Sequence, residues 1–148
     1  MPSSTFVFFY DFSEQLGKSV HDFSSHTFKV ALTNTAPTAS TGAALSDITQ
    51  ISTGGGYTSG AGGGYALDGV TWTQSSNVTK LTVTDEVITA SGASVGPFRY
   101  AVIYNDSASS PADALIGYLD YGSALTLADT ESLTLDFDAS AGLMTVTV

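Results

Sequence analysis

The 148-residue chain has no cysteine, only four lysines and arginines, and no long apolar run. Without cysteine there is no disulfide framework, no thiolate metal site and no cysteine nucleophile. Four cations cannot form the basic stripe that contacts phosphates, so no nucleic-acid partner is expected. The longest aromatic and apolar run, residues 6–10, is far shorter than the roughly 20 residues that span a bilayer, and no basic residue precedes it. We therefore expect neither a membrane partner nor a secretory signal.

Acidic residues dominate the charge of the chain. Fourteen aspartates and glutamates give a formal net charge of −10 at pH 7, and no lysine or arginine follows Arg99. Such a surface favours solubility and suits docking on a basic partner. The 43% hydrophobic share is enough to build a core, and charged residues make up only 12% of the chain. This composition excludes charge-driven disorder and indicates a folded chain of one-domain length.

Residues 1–25 are predicted to form an aromatic N-terminal arm with a short amphipathic helix. An apolar residue recurs every three or four positions from Phe12 to Phe23, which predicts a helix over residues 11–23. Asp11 precedes Glu14 by three residues, which fits a helix N-cap with a reciprocal acid. A solvated tail would not carry so many aromatic residues, since each gains about 1.5–3 kcal/mol on burial. We therefore predict that these side chains contact a neighbouring subunit or a partner protein beneath the chain: Phe6, Phe8, Phe9, Phe12 and Phe23.

Residues 26–148 are predicted to form a single β-domain. Apolar and polar residues alternate over residues 27–33, which indicates a half-buried strand. Short β-rich runs follow, separated by turn residues, and no helical pattern of similar length interrupts them. We therefore predict an all-β fold, an antiparallel β-sandwich or a partly open barrel. The later strands are predicted at 70–74, 78–84, 87–90, 98–104, 114–120, 125–127, 133–137 and 143–148.

A glycine-rich run occupies residues 54–65, in which seven of twelve residues are glycine. A phosphate-binding loop would need a lysine, and a dinucleotide fingerprint would need a helix after the glycines. The run has neither, so we interpret it as a flexible loop or arm whose tyrosines, Tyr57 and Tyr65, pack on a neighbouring subunit.

The polar residues form no recognisable catalytic pattern. His21 and His26 lie five residues apart, whereas a zinc pair on one helix face needs a spacing of three or four. No nucleophile and base stand in a known motif. We therefore predict no catalytic residue, no metal and no cofactor, and we interpret the two histidines as surface or interface residues.

Two pairs of acids, at positions 129 and 131 and at positions 136 and 138, are spaced for one face of a strand. Such pairs can bind Ca²⁺ or act together as acid and base. Leu135 and Phe137, which flank Asp136, are apolar and would face the core, so the acids would lie on the opposite, solvated face of the strand. We prefer this interpretation, since like charges on an exposed strand also discourage unwanted strand pairing. Arg99 is predicted to pair with one of the acids. An aromatic platform for stacking on sugars remains open, formed by Tyr57, Tyr65, Trp72, Tyr118 and Tyr121.

Several segments resemble small structural proteins of tailed-bacteriophage virions. The match covers roughly residues 23–148 and is most specific at GPFRYAVIYND, residues 96–106; other parts are FKVALTNTAP (28–37), LSDITQI (45–51), GGYT (55–58), TASG (89–92), LIGY (115–118) and DYGS (120–123). The run at residues 6–10 has no counterpart in the family pattern.

The resemblance implies a non-enzymatic capsid decoration (cement) protein that binds and stabilises the outer head shell. Its partners would be the major capsid protein and copies of itself in a homotrimer, and its location the virion, assembled in the host cytoplasm. Unprotected strand edges and the aromatic arm independently favour self-association. A neck, tail or fibre component is an alternative, and a carbohydrate-binding module on the virion surface is a further one.

Overall fold

The computed structural model describes residues 4–148, which form three antiparallel sheets and one short α-helix. The sheets pack in a sandwich-like arrangement and close no barrel, so the predicted all-β class is confirmed. A 3-10 turn lies at Leu45–Asp47. The elements are β1 (Val7–Phe8), α1 (Tyr10–Gly17), β2 (Phe28–Thr33), β3 (Tyr65–Ala66), β4 (Thr71–Ser75), β5 (Val78–Thr82), β6 (Glu86–Thr89), β7 (Val95–Ser109), β8 (Ala112–Leu127), β9 (Ser132–Leu135) and β10 (Met144–Thr147).

A long hairpin of β7 and β8 forms the middle of a five-stranded sheet with the order β1-β8-β7-β2-β3. The sequence predicted three shorter strands here, at residues 98–104, 114–120 and 125–127, separated by turn residues at 105–111 and 121–122. β7 and β8 instead continue, and their pairing extends to Ser109 and Ala112. Several register shifts along the ladder absorb the residues that looked like turns, because a bulge accommodates an extra residue without ending a strand.

The five-stranded sheet is buried on both faces. Alternation predicted a half-buried β2, but Ala31 and Thr33 are as inaccessible as Val30 and Leu32, each at 0% exposure. The physical reason is a second apolar layer, in which Leu45 and Phe9 join Ala31 in a small separate core cluster. Because both faces of β2 find apolar partners, its polar-looking positions are buried as well.

Two smaller sheets face the other side of the main core. Their strand orders are β10-β5-β4 and β6-β9. The main core lies between these sheets and the five-stranded sheet, and it includes Leu81 of β5, Ile88 of β6 and Leu133 of β9. Among residues 4–148, the eight-residue α1 is the longest helix, and no helix is long and apolar enough to cross a membrane.

The predicted helix over residues 11–23 ends early. α1 stops at Gly17, and Ser19 then adopts a left-handed conformation with φ of 62°. Phe23 therefore reaches the core from an irregular segment and not from a helical stripe. The predicted cap is also wrong, because Phe9 occupies the N-cap and Asp11 accepts a hydrogen bond from Gln15 Nε2 at 3.1 Å.

The N-terminal residues belong to the body of the fold. β1 pairs with β8, and Phe12 and Phe23 are members of the main core cluster. Within the described residues 4–25, the predicted division into an arm and a separate β-domain is therefore not seen. Met1 to Ser3, the start of the predicted arm, lie outside the described residues.

Candidate functional site

The aromatic residues predicted to contact a neighbour form a continuous stack within the chain. Phe6 meets Phe8 edge-on at 4.9 Å between ring centroids, and Phe8 stacks on Phe12 at 5.2 Å. Phe23 lies 6.3 Å from Phe12 and stacks on Phe28 of β2 at 5.1 Å. Such contacts add specific stabilisation beyond the burial of their area. The stack joins β1, α1 and the following segment to the five-stranded sheet.

Burial within the single chain contradicts the predicted interface role for Phe9, Phe12 and Phe23, whereas for the partly exposed Phe6 and Phe8 that role stays a prediction. Phe9 points to the other face of the sheet, where it lies 5.5 Å from Tyr118. Phe9, Phe12 and Phe23 are at most 5% exposed in the single chain, and Phe6 and Phe8 are partly buried. Because α1 turns back over β8, the chain itself covers the surface that was assigned to another subunit.

Tyr57 and Tyr65 are held in the same way. Tyr57 is 1% exposed, donates its hydroxyl hydrogen to Gln50 at 2.8 Å and accepts the backbone N–H of Leu32 at 3.0 Å. Burial raises the pKa of Tyr57 to about 12. The Tyr65 ring lies 5.8 Å from the Tyr57 ring and is partly buried. The tyrosine anchors therefore fasten the glycine-rich loop to the chain's own β2.

The glycine-rich loop packs closely against β2 and β7. Gly64 has φ of +77°, and a Cβ there would lie 2.1 Å from the carbonyl oxygen of Val30. Lys29 Nζ donates to the carbonyl of Gly62 at 2.7 Å, and the Tyr104 hydroxyl donates to that of Gly63 at 2.6 Å. Glycine is required because the loop backbone touches the sheet backbone. The prediction of an arm that packs on a neighbour is therefore wrong for this loop.

The predicted sugar-stacking platform does not assemble. Tyr57 is buried, Trp72 lies 5.7 Å from Phe23, and Tyr118 packs between Phe9 and Tyr100. Tyr65, Trp72 and Tyr121 are partly buried against the main core, whereas Tyr118 packs against the second core cluster, so the five rings do not form one exposed platform.

A buried polar cluster joins the N-terminal residues to β7. Asn105 is 0% exposed, and its Nδ2 lies 3.2 Å from Val20 O, 3.2 Å from His21 Nδ1 and 3.0 Å from His26 Nδ1. The Asn105 Oδ1 accepts the N–H of Ser107 at 3.0 Å. His21 is 6% exposed, so its interpretation as a surface residue is wrong. The sequence pointed to the histidines but not to Asn105, which looked like the start of a turn.

Most carboxylates with a visible partner hold backbone N–H groups at turns. Asp47 accepts the N–H groups of Ala43 and Ala44, at 2.9 and 3.0 Å, and these bonds lower its pKa. Asp138 accepts two such groups and Asp129 accepts one. Within residues 4–148, no group of three or more His, Asp and Glu side chains is arranged to hold a metal ion. Of the predicted acid pairs, Asp129, Glu131 and Asp138 therefore accept backbone N–H groups at turns.

Arg99 forms the ion pair predicted for it. Its Nε and Nη2 donate to the two carboxylate oxygens of Asp120 at 2.8 and 2.9 Å, and its guanidinium lies 5.2 Å from the Tyr100 ring. The Arg99 hydrogen bond lowers the pKa of Asp120. This pair links β7 to β8 at the surface.

An open cleft of about 1030 Å³ lies between residues 4–6 and residues 136–143. Its carboxylates are Asp85, Asp136 and Asp138, and its lining contains no histidine, lysine or arginine. Asp85 accepts the N–H of Phe137 at 2.7 Å, so this acid binds the cleft's own wall.

No protein-family model, no curated protein and no solved structure matches this chain.

Proposed function

We propose that this chain is a non-enzymatic structural protein that works by packing against other protein. The role that its sequence resemblance suggests is capsid decoration in a tailed bacteriophage, with the major capsid protein and further copies of itself as partners. The chain would then be located in the virion, after assembly in the host cytoplasm. A neck, tail or fibre position is the alternative within the same class.

The observation that carries this proposal is that the three-stranded sheet has two unprotected outer strands. β4 and β10 are its outer strands, and their sequences, TWTQS and MTVT, contain neither charge nor proline. Soluble proteins usually protect exposed strand edges with lysine, proline or a bulge. On a chain with a net charge of −10, uncharged edges such as these, and that of β9 (SLTL), let another protein approach with little repulsion.

The exposed side chains of β10 support an assembly role. Val146 is 42% exposed, and Val148, just beyond the strand, is 93% exposed. β-strand addition uses main-chain hydrogen bonds for affinity and alternate side chains for specificity, and it needs an open edge of this kind. Covering β10 would remove both the open edge and the exposed valines from water.

The resembling segments support a structural role through their position. Residues 96–106, where the resemblance is most specific, lie within β7, the central strand of the five-stranded sheet. Two carboxylates described above already have partners within the chain: Asp120 pairs with Arg99 of β7, and Asp129 accepts the N–H of Gly92 at a turn. Residues that resemble the family therefore serve the scaffold.

The proposed homotrimer has an electrostatic consequence. Each copy carries a formal charge of −10, so contacts between copies should be chiefly apolar and should tighten as salt screens the repulsion. Light scattering across salt concentrations measures this directly. A chain that stays monomeric at every salt concentration would contradict the self-association part of the proposal.

The edge itself is tested by placing a charge on it. Thr145→Lys adds a lysine to exposed β10, and Ser52→Lys adds the same charge at an exposed position outside the sheets. We expect Thr145→Lys to weaken association with itself or with particles at least tenfold, while Ser52→Lys keeps it within twofold. Equal effects of both variants would show that β10 is not the contact.

The virion role is tested by the number of copies in purified particles, measured by quantitative mass spectrometry. Hundreds of copies per particle are expected for head decoration, whereas a handful would indicate a neck, tail or fibre position. Absence from the particles would overturn the virion proposal.

A further inference from the structure

The Asn105 side chain can be placed in only one orientation. Its Oδ1 accepts the Ser107 N–H, and its Nδ2 faces the carbonyl oxygen of Val20. Turning the amide over would bring two donors together at Ser107 and two acceptors together at Val20. The NH₂ group must therefore face both imidazoles.

This orientation defines the state of the two histidines. The Nδ1 atoms of His21 and His26 share the two hydrogens of the Asn105 NH₂ group with the carbonyl oxygen of Val20, and a proton on either Nδ1 would set one N–H against another. The N–H of Asp22 also points at His26 Nδ1, at 3.4 Å, which again requires an acceptor. The geometry therefore favours, for each ring, the tautomer that carries its proton on Nε2.

His21 is enclosed in surroundings that oppose a charge. Its ring centroid lies 5.3 Å from Phe12 and 6.2 Å from Phe23, and its buried Nε2 has no hydrogen-bond partner. Burial, and to a lesser extent the neighbouring His26, lower the pKa of His21 to about 4. Desolvation therefore outweighs the attraction of the nearby acid.

The charged groups around the cluster come from two elements. Asp11 of α1 favours a positive charge on His21, and its Oδ2 is buried without a partner. Asp22, in the segment after α1, interacts with His26. β7 contributes the neutral Asn105, and the stacked rings of Phe12 and Phe23 are apolar. No carboxylate hydrogen-bonds either imidazole in the described residues.

We propose that Asn105, His21 and His26 form a proton-sensitive clasp that holds residues 4–26 on the five-stranded sheet. Protonation of either ring would place an N–H where an acceptor is required, directly against the NH₂ of Asn105. The cluster then loses hydrogen bonds to Asn105, and a charge on His21 would be buried. Residues 4–26 would therefore detach from the five-stranded sheet. This conclusion does not depend on the proposed virion role.

Release of the segment has a built-in reporter. Trp72 is the only tryptophan in the chain, and it lies 5.7 Å from Phe23, which follows His21 by two residues. When the segment leaves, Trp72 loses this neighbour and becomes more exposed to water. Its fluorescence therefore reports the clasp, while far-UV circular dichroism reports the sheets.

The first test is made on the unaltered protein. Nitrogen NMR at pH 7.5 should show both rings as the Nε2–H tautomer. Between pH 7 and pH 4.5, amide exchange of residues 4–26, corrected for the intrinsic effect of pH, should rise at least tenfold relative to β7 and β8. Trp72 emission should shift while the β signal is retained. An Nδ1–H tautomer, or exchange that rises equally in the segment and the sheets, would overturn the proposal.

The second test removes the titratable rings. Gln can still present an oxygen to Asn105, so His21→Gln combined with His26→Gln should keep the segment in place and reduce its acid response to less than twofold. Asp47→Asn changes an acid remote from the cluster and keeps both histidines, so it should respond like the unaltered protein. A double variant that still shows the full tenfold response would overturn the proposal.

Discussion

The five-stranded sheet and the three-stranded sheet of this chain differ in how their edges end. The larger sheet ends in the two-residue strands β1 and β3, and its long β8 is further covered by backbone bonds from Phe9 to Ile116 and from Leu115 to Ala43. The smaller sheet ends in β4 and β10, which nothing in residues 4–148 pairs on the outside. One sheet is closed by the chain itself and the other is left open.

In this chain, the edge of a sheet is covered only where a segment from a distant part of the sequence pairs with it. The N-terminal residues supply that segment for β8, over a separation of more than 100 residues between Val7 and Tyr118. Aromatic residues that looked suited to a neighbouring subunit are used to hold this cover in place. Because no segment covers β10, a second protein that paired with its open edge would not have to displace part of the chain.

The largest expected effect comes from loosening the cover on the closed sheet. Phe12→Ala should lower the free energy of unfolding by about 3–5 kcal/mol, because Phe12 is 3% exposed and its removal leaves a cavity in the aromatic stack. Tyr10→Ala, also in α1 but at a side chain that is 71% exposed, should stay within about 0.5 kcal/mol. Urea unfolding measures both. A similar loss from the two variants would show that α1 does not seal the sheet.

Acid should weaken the closed sheet next. The pKa of His21 is about 4 in the fold and about 6.5 without burial, so the unfolded chain binds more protons between these values. Its contribution to stability is therefore complete above pH 6.5 and is lost as pH falls towards 4. We expect a decrease on the order of 2 kcal/mol between pH 7 and pH 4.5, measured by urea unfolding.

The matched control for this pH dependence is His21→Gln, which cannot titrate. Its stability should fall less steeply over the same range, because the buried imidazole whose pKa differs between the folded and unfolded chain has been removed. Identical slopes for the variant and the unaltered protein would contradict the assignment to His21.

A pair of valines compares the two sheets directly. Val30→Ala on β2, at 0% exposure, should cost about 2 kcal/mol, while Val146→Ala on β10, at 42% exposure, should stay within about 0.5 kcal/mol in the isolated chain. If Val146→Ala proves as costly as Val30→Ala at low protein concentration, β10 is covered within the chain and the comparison fails.

Local periodicity predicted most strands but not their length. The runs at 78–84, 87–90, 133–137 and 143–148 each contain or overlap an observed strand, because alternation reflects one buried face. It failed for the ends of β7 and β8, where residues typical of turns remain in paired strands because the register shifts at bulges. It also failed for β2, since burial of its second face depends on Leu45 and Phe9.

The candidate site was only half visible in the sequence. His21 and His26 were noticed because histidines are few, whereas Asn105 resembled any turn asparagine. Its importance arises from the antiparallel pairing that places Phe28 opposite Asn105, which brings β7 beside the chain that leaves α1. A hydrogen-bond partner more than 75 residues away leaves no trace in local spacing.

The sequence by itself determined the all-β class, the acidic surface and the supply of aromatic side chains, because composition and alternation depend only on which residues are present and how they are spaced. The tertiary structure alone decided where those side chains are used. The aromatic segment could have covered a neighbour or its own sheet, because aromatic side chains gain from burial in either place. The short link from α1 to β2 settles the question, because it keeps the rings beside β8 and makes the intramolecular contact entropically cheaper than association with another molecule.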